Sequence, residues 1–189
     1  MSEHSEDSHF KKVGTLGTGA FGTVDLCILL VGKTYAEEGD KVAVKRLLSV
    51  SDEDLAEREA RILTKLKHQF IVAYYDQYKD SKGLLAIVME YCEGGTLKDY
   101  LSSYPDKPFP EFCIWRSIWQ LSSALAFLHG QHPPIIHNDF KPSNILIKCD
   151  PPEGLVKIKL ADFGFCNILG KRTHTQPVAV LLFNFSNSL

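Results

Sequence analysis

A glycine-rich run between two strand-like segments limits the folds that this chain can adopt. Residues 16–24 read L-G-T-G-A-F-G-T-V, which places glycine at positions 17, 19 and 22. Because glycine has no Cβ, such a run lets backbone N–H groups approach phosphate oxygens. A G-x-G-x-x-G run also marks dinucleotide-binding folds, but there it leads into a helix, whereas here a strand follows. The pattern predicts a phosphate-binding hairpin, and an ordinary glycine-rich hairpin is the alternative.

The segments around this run predict a small antiparallel sheet with one helix. Apolar and β-branched residues concentrate in five segments separated by turn-forming breaks, which is typical of strands. These segments are 13–16, 24–31, 41–47, 71–78 and 84–91. Residues 51–67 carry leucine and isoleucine at helical spacing among charged residues, which predicts an amphipathic helix. Residues 1–12 are polar, so we expect a flexible leader, with order beginning near Val13.

The pattern changes after Glu93, Gly94 and Gly95, where we expect a hinge between two lobes. Helices are predicted over residues 97–102 and 111–129. The longer helix has a broad apolar face that suits a buried position. Its members are Phe112, Trp115, Ile118, Trp119, Leu121, Leu125 and Leu128.

Composition excludes several classes of protein. The chain is 44% hydrophobic and 23% charged, with a net charge of −2, so it has enough apolar residues for a core and no general attraction to nucleic acid. No apolar run is long enough to span a bilayer, and the first residues do not form a secretory signal. The five cysteines include no C-x-x-C pair, which indicates free thiols in a reducing compartment. We therefore expect a cytoplasmic or nuclear protein without nucleic-acid or membrane partners, its oligomeric state left open.

Three further motifs follow the glycine-rich run. Val42-Ala43-Val44-Lys45 ends an apolar strand, and a lone lysine there is either a solvated charge or a buried one that needs a counter-charge. Glu59, within the predicted helix, is the partner that the spacing favours over Glu57. The stretch 135–147 reads I-I-H-N-D-F-K-P-S-N-I-L-I, and Ala161-Asp162-Phe163-Gly164 follows it.

In this order, the motifs resemble those of a eukaryotic protein kinase: the glycine-rich loop, the V-A-I-K lysine, the H-R-D catalytic loop and D-F-G. The resemblance implies an α+β, bilobal fold. The N-lobe would hold a five-stranded antiparallel sheet and one helix, and the C-lobe would be partial and mainly helical. The implied ranges are 13–92 for the N-lobe, 93–95 for the hinge and 96–176 for the partial C-lobe.

The resemblance also implies a role for each matching residue, with ATP and Mg²⁺ as cofactors. Lys45, held by Glu59, would bind the α- and β-phosphates. Asp162 and Asn144 would hold magnesium, and Asp139 would accept the proton of the substrate hydroxyl. The loop over the phosphates would comprise Leu16, Gly17, Thr18, Gly19, Ala20, Phe21, Gly22, Thr23 and Val24.

The adenine pocket follows from the same resemblance. Met89 resembles the gatekeeper residue, and the backbone of Glu90 and Cys92 would bond adenine. Val24, Ala43 and Leu146 would sandwich the ring, although ordinary core packing also explains these three.

Lys141, two residues after Asp139, resembles the γ-phosphate lysine of serine/threonine kinases, so a protein serine or threonine is the implied substrate. The stretches 66–72, 90–97 and 119–129 are most similar to the NIMA-related kinases.

Two departures from the family pattern bear on activity. Asn138 stands where the family usually has an arginine that pairs with a phosphorylated activation loop, so we expect an enzyme that is not switched on in that way. After Gln176 the chain turns apolar and no A-P-E motif follows, so we expect a kinase domain truncated after D-F-G. Residues 177–189 are a divergent tail, interpreted as an alternative splice end, a gene-model artefact or a terminal strand over 178–185.

Two functions remain in competition. The first is an ATP-dependent, non-specific serine/threonine protein kinase. The second is a truncated, catalytically inactive nucleotide-binding isoform that acts as a regulatory or competing binding module. A small-molecule kinase is a weaker third alternative, because those enzymes usually lack so complete a motif set.

Overall fold

The computed structural model describes residues 6–19, 22–47, 49, 53–103, 110–150 and 155–168. The chain divides into two compact units. The first comprises the residues up to Lys67 together with Ala73–Tyr91. The second comprises His68–Val72 and the residues from Cys92 onward.

The first unit is a five-stranded antiparallel sheet with one α-helix. In chain order its elements are a 3-10 helix at Glu6–His9, β1 at Phe10–Gly19, β2 at Gly22–Leu29, β3 at Lys41–Leu47, α1 at Glu53–Leu63, β4 at Tyr74–Lys79 and β5 at Leu85–Glu90. The strand order in the sheet is β1-β2-β3-β5-β4. The predicted five-stranded sheet with one helix is therefore confirmed.

The strand β5 is buried along its whole length, because both faces of the sheet are covered there. Alternate residues of a strand point to opposite faces. Ala86 and Val88 belong to a cluster with Phe10, Cys27, Leu29, Val42, Val44 and Tyr78. The helix α1 contacts β5 and β4, and Ala56, Ala60 and Leu63 on that helix are buried. The sheet is thus the central layer of this unit.

Order begins before Val13, so the predicted leader is too long. The Phe10 ring is buried and stacks on Tyr78, with ring centroids 5.1 Å apart. The Asp7 carboxylate accepts hydrogen bonds from Arg46 at 2.5 Å and from the Tyr78 hydroxyl at 2.9 Å. Burial raises the pKa of Asp7, whereas the hydrogen bonds from Arg46 and Tyr78 lower it, and the net shift is downward. These contacts join residues distant in sequence, so local composition could not reveal them.

The second unit combines two helices with two small sheets. In chain order its elements are α2 at Leu97–Ser103, α3 at Glu111–His129, β6 at Ile135–Ile136, a 3-10 helix at Pro142–Asn144, β7 at Ile145–Asp150, β8 at Leu155–Leu160 and β9 at Asn167–Ile168. The strand β6 pairs with β9, and β7 pairs with β8, both antiparallel. Ile145, Ile147 and Ile158 form the centre of a core that Leu97, Tyr100, Leu121, Phe140 and Val156 border.

The apolar face of α3, which suits a buried position, is exposed over much of its area. Its buried residues are Gln120, Ala124 and Leu128, a row that packs toward β8. Phe112, Trp115 and Trp119 are 63%, 64% and 62% exposed. Apolar residues lie nearly all round this helix, so periodicity could not show which side β8 would cover.

Some boundaries also differ from the prediction. The helix α1 ends at Leu63 rather than at residue 67, and β4 begins at Tyr74 rather than at residue 71. Ile71 forms an isolated parallel bridge with Leu160, and the Val72 N–H donates to the Leu160 carbonyl at 2.9 Å. Ile71 and Val72 therefore belong to the second unit.

Cys27, Cys92, Cys113 and Cys166 are free thiols, as the sequence predicts for these four. Within the described ranges, no helix has both the length and the apolar character needed to cross a membrane.

Candidate active site

In the first unit, the structure brings Lys45 and Glu59 together. Lys45 lies on β3, opposite Val24 of β2 and Ile87 of β5. Its Nζ lies 2.7 Å from Oε2 of Glu59, and the two side chains are 14% and 4% exposed. Glu57 is 51% exposed and lies 3.9 Å from Arg61 on the outer side of α1. The counter-charge of this buried lysine is therefore Glu59.

The glycine-rich run forms the end of the hairpin between β1 and β2. Gly17 pairs with Val24, Thr18 with Thr23, and Gly19 with Gly22. Ala20 and Phe21, the predicted tip, lie outside the described residues. Leu16 is exposed, and among the described residues, apart from the two chain neighbours of Gly17, no heavy atom lies within 4 Å of where a Cβ on Gly17 would stand.

Gly22 is required by close packing within the sheet. A Cβ on this residue would lie 2.2 Å from the Arg46 carbonyl oxygen, which no side chain tolerates. Gly22 therefore lets β2 approach β3 one residue from Lys45. This gives the third glycine of the run a structural reason that is independent of any ligand.

The predicted adenine-pocket residues of this unit lie on adjacent strands. Ala43 of β3 is opposite Met89 of β5, and both are buried. The Glu90 N–H donates to the Ala73 carbonyl at 2.9 Å, and the Glu90 carboxylate accepts from the Ala73 N–H at 3.2 Å. Glu90 is thus held at the end of β5 by both its backbone and its side chain.

In the second unit, Asp139, Lys141 and Asn144 converge within one short loop. The Asn144 side-chain amide donates to the Asp139 backbone carbonyl at 2.9 Å and to its carboxylate Oδ2 at 2.8 Å. Nζ of Lys141 lies 2.7 Å from the same Oδ2. The 3-10 helix Pro142–Asn144 turns the chain back so that residue 144 reaches residue 139. Two donors therefore fix the orientation of this carboxylate.

Asp162 lies two residues after the end of β8, beside the same loop. The Ala161 N–H donates to the Asn144 backbone carbonyl at 2.9 Å, and the Ala161 carbonyl lies 3.0 Å from Nε2 of His137. The Asp162 backbone has a φ of 61°, a left-handed value that aspartate tolerates better than most residues. Phe163 is fully buried, and its ring meets the His137 ring edge-on at 5.0 Å.

Asn144 and Asp162 carry the oxygen atoms that could hold a metal ion here. Because the Asn144 amide nitrogen is directed to Asp139, the amide oxygen is the atom left for a cation. The described residues contain no group of three or more His, Cys, Asp and Glu side chains that could hold a metal. One carboxylate and one amide suit Mg²⁺, which keeps several waters and shares phosphate oxygens with its substrate.

Cys92 and Leu146, the remaining predicted pocket residues, also lie in the second unit. Leu146 of β7 is half-buried, opposite Lys159, and it forms a bridge with Thr96. The Gly94 N–H donates to the Ile147 carbonyl at 2.9 Å. A Cβ on Gly94 would lie 2.6 Å from the Ile147 side chain, so this segment can approach β7 only as glycine.

Two buried polar residues make supporting hydrogen bonds in this unit but were not among the site residues predicted from the sequence. His137 accepts from the Asp139 N–H at Nδ1 over 3.3 Å while Nε2 faces the Ala161 carbonyl, and burial lowers its pKa. Gln120 of α3 accepts from the Ile158 N–H at 2.7 Å and donates to the Val156 carbonyl at 3.3 Å. His137 stands in the catalytic-loop motif, whereas nothing in the sequence singled out Gln120.

The sequence matches a known protein family. Residues 10–183 match the family model described as the protein kinase domain. The chain is 30% identical over 164 residues to the probable serine/threonine-protein kinase zyg-1 of Caenorhabditis briggsae, covering 87% of this chain and 21% of that protein.

Two further relatives are NIMA-related kinases, which confirms the expected similarity to that group. The probable serine/threonine-protein kinase nek2 of Dictyostelium discoideum is 33% identical over 176 residues, covering 88% of this chain and 39% of nek2. The serine/threonine-protein kinase nekl-2 of Caenorhabditis elegans is 32% identical over 182 residues, covering 90% of this chain and 48% of nekl-2. This chain thus spans less than half the length of these relatives. The match to the family model covers most of the sequence, and the chain belongs to the protein kinase family.

Proposed function

We propose that this chain binds ATP with magnesium and transfers the γ-phosphoryl group to a serine or threonine hydroxyl of a protein. The observation that carries the proposal is the convergence of Lys141 and Asn144 on one oxygen of Asp139. Phosphoryl transfer needs positioning and charge neutralisation rather than a covalent nucleophile. An oriented carboxylate, an amide and a lysine supply those functions.

Asp139 is the proposed base. Its Oδ2 takes both bonds from Lys141 and Asn144, which leaves Oδ1 to accept the proton of the attacking hydroxyl. The Lys141 side chain is half exposed, so its ammonium can turn from Asp139 toward the γ-phosphate. Asn144 would bind a magnesium ion through its amide oxygen and would hold Asp139 through its nitrogen.

Lys45 is the proposed ligand of the α- and β-phosphates, oriented by Glu59. Asp162 would bind magnesium, which when bound neutralises phosphate charge. The glycine-rich loop over residues 16–24 would cover the phosphates, and Val24, Ala43, Met89, Glu90, Cys92 and Leu146 would bind adenine. The four described free thiols support a reducing compartment, the cytoplasm or the nucleus.

The test is phosphate transfer from radiolabelled ATP to casein in the presence of magnesium. We expect transfer by the parent chain and its loss in Asp139→Asn, which keeps the size of the side chain but removes the base. Asp54→Asn, which alters an exposed carboxylate on α1, is the matched control and retains activity. Equal transfer by the parent and by Asp139→Asn contradicts the proposed role of Asp139.

One observation favours the second function, a nucleotide-binding module that does not transfer phosphate. The aromatic side chains Phe112, Trp115 and Trp119 are each more than 60% exposed, and an apolar surface of this kind suits contact with another protein. A rise in melting temperature with Mg-ATP, without transfer to casein, supports this function. Absence of any shift in the parent chain argues against nucleotide binding altogether.

A further inference from the structure

Two residues of the candidate site in the second unit have an unusual backbone conformation. Among the described residues, Asn138 and Asp162 are the only non-glycine residues with positive φ, each at 61°. Asparagine and aspartate adopt this left-handed conformation more readily than other residues with a Cβ. Such conformations persist where the surrounding structure holds them. The contacts of Asn138 show what holds this part of the chain.

The Asn138 side chain joins the two segments. Its Nδ2 donates to the Phe165 backbone carbonyl at 3.1 Å. Phe165 comes three residues after Asp162, and Asn138 precedes Asp139 directly. One side-chain amide therefore connects the loop that carries Asp139 with the turn that follows Asp162.

Backbone pairing surrounds this hydrogen bond. Ile135 pairs with Ile168, and Ile136 pairs with Asn167, as strands β6 and β9. The Cys166 thiol lies 3.6 Å from the His137 carbonyl and is fully buried. Residues 135–138 and 165–168 consequently run side by side, with Asn138 at one end of the paired region.

We propose that Asn138 is a positioning residue that pins the start of the activation segment, residues 165–168, to the Asp139 loop without a phosphorylated residue. The neutral carboxamide of Asn138 is satisfied by a backbone carbonyl, so this contact needs no anionic partner. The inference rests on the proposed function, because that function gives Asp139 and Asp162 their roles. The inference adds that the hydrogen bond from Asn138 to the Phe165 carbonyl keeps these two segments paired.

The buried thiol of Cys166 provides a readout that does not depend on activity. Alkylation of a buried thiol requires local opening, so its rate reports how often the paired segments separate. Cys27, which is also fully buried but lies in the first unit, reports general unfolding. The measurement is alkylation by N-ethylmaleimide, followed for each cysteine by peptide mass spectrometry on the full chain with and without phosphatase treatment.

Two substitutions remove the donor in different ways. Asn138→Asp preserves size and tolerance of positive φ, and Asn138→Gly preserves the backbone conformation without adding charge. We expect both to raise the alkylation rate of Cys166 by about twofold to tenfold, the range for loss of one hydrogen bond. The rate at Cys27 stays unchanged. Gln131→Glu is the matched control, because Gln131 also donates to a backbone carbonyl, that of Phe127 at 3.0 Å.

Several results overturn the inference. They are an unchanged Cys166 rate in both Asn138 variants, a parallel rise at Cys27, an equal rise in Gln131→Glu, or protection of Cys166 that appears only in phosphorylated protein. The casein assay separates this outcome from that of the proposed function. If no phosphate is transferred to casein but the protection of Cys166 depends on Asn138, only the proposed function is contradicted. If phosphate is transferred but the protection of Cys166 is the same in the Asn138 variants, only the role of Asn138 is contradicted.

Discussion

Lys45 and Glu59, fourteen residues apart, form a buried ion pair in which Nζ lies 2.7 Å from Oε2. The lysine belongs to β3 and the glutamate to α1, so the pair ties the helix to the sheet. Glu59 is only 4% exposed, and a buried ion that loses its partner is strongly destabilising. The pair therefore contributes to the packing of the first unit as well as to its proposed chemistry.

Glu59→Gln should lower the free energy of unfolding by about 3 kcal/mol, because it removes the counter-charge from a mostly buried ammonium. Equilibrium unfolding in urea measures the loss. The matched control is Glu57→Gln on the same helix, where the side chain is 51% exposed. That change should cost less than about 1 kcal/mol, as exposed ion pairs do. Equal losses in the two variants would show that Glu59 is not the buried partner.

The pH dependence of stability should carry a contribution from His137. Burial lowers its pKa in the folded chain below the ordinary value of 6.5. Its Nδ1 accepts from the Asp139 N–H, so protonation of that nitrogen would remove this bond. As the pH falls, His137 is therefore protonated at a higher pH in the unfolded chain than in the folded chain. This contribution is complete above about pH 6.5 and is lost as the pH falls toward the lowered folded pKa.

Urea unfolding at about pH 7.5 and about pH 5.5 tests this dependence. The fall in unfolding free energy between the two conditions should be smaller in His137→Gln than in the parent chain. His132→Gln, which alters an exposed histidine, should leave the fall unchanged. If His137→Gln shows the same fall as the parent, the buried histidine does not contribute.

Gln120→Leu should destabilise the second unit by about 1–3 kcal/mol, the cost of leaving a buried hydrogen-bonding group unsatisfied. Leucine has a similar volume but cannot accept from the Ile158 N–H, which Gln120 binds at 2.7 Å. Thermal unfolding followed by circular dichroism measures the change. Gln69→Leu, at an exposed position of the same unit, should be nearly neutral. A neutral Gln120→Leu would mean that β8 does not depend on this contact.

Trp115→Gln should change the free energy of unfolding by less than about 0.5 kcal/mol, as expected at an exposed surface position. Its side chain is 64% exposed despite its size. Phe163→Ala is the aromatic comparison, and at a fully buried position it should cost about 3–5 kcal/mol. Denaturant unfolding of both variants provides the measurement. A large loss from Trp115→Gln would show that this face of α3 is covered in solution.

The strands of the sheet and the partner of Lys45 were predictable from the sequence for different reasons. Strand patterns are local, so the apolar and β-branched runs around Lys41–Leu47 and Leu85–Glu90 predicted two strands that the structure contains. The strand β1 was predicted too short because it is mostly exposed and lacks an alternating apolar pattern. The partner of Lys45 was predictable because helical spacing separated Glu59 from Glu57.

The sequence alone determined the family, the order of its motifs and the loop in which Asp139, Lys141 and Asn144 meet. These features depend on residue identity and on short spacings along the chain, which do not depend on tertiary contacts. The folded chain was needed to show which row of α3 is buried, that Asp7 and Phe10 are anchored, and that Asn138 reaches Phe165. Each of those outcomes depends on which surfaces meet, because burial and hydrogen bonding there join residues that are distant along the chain.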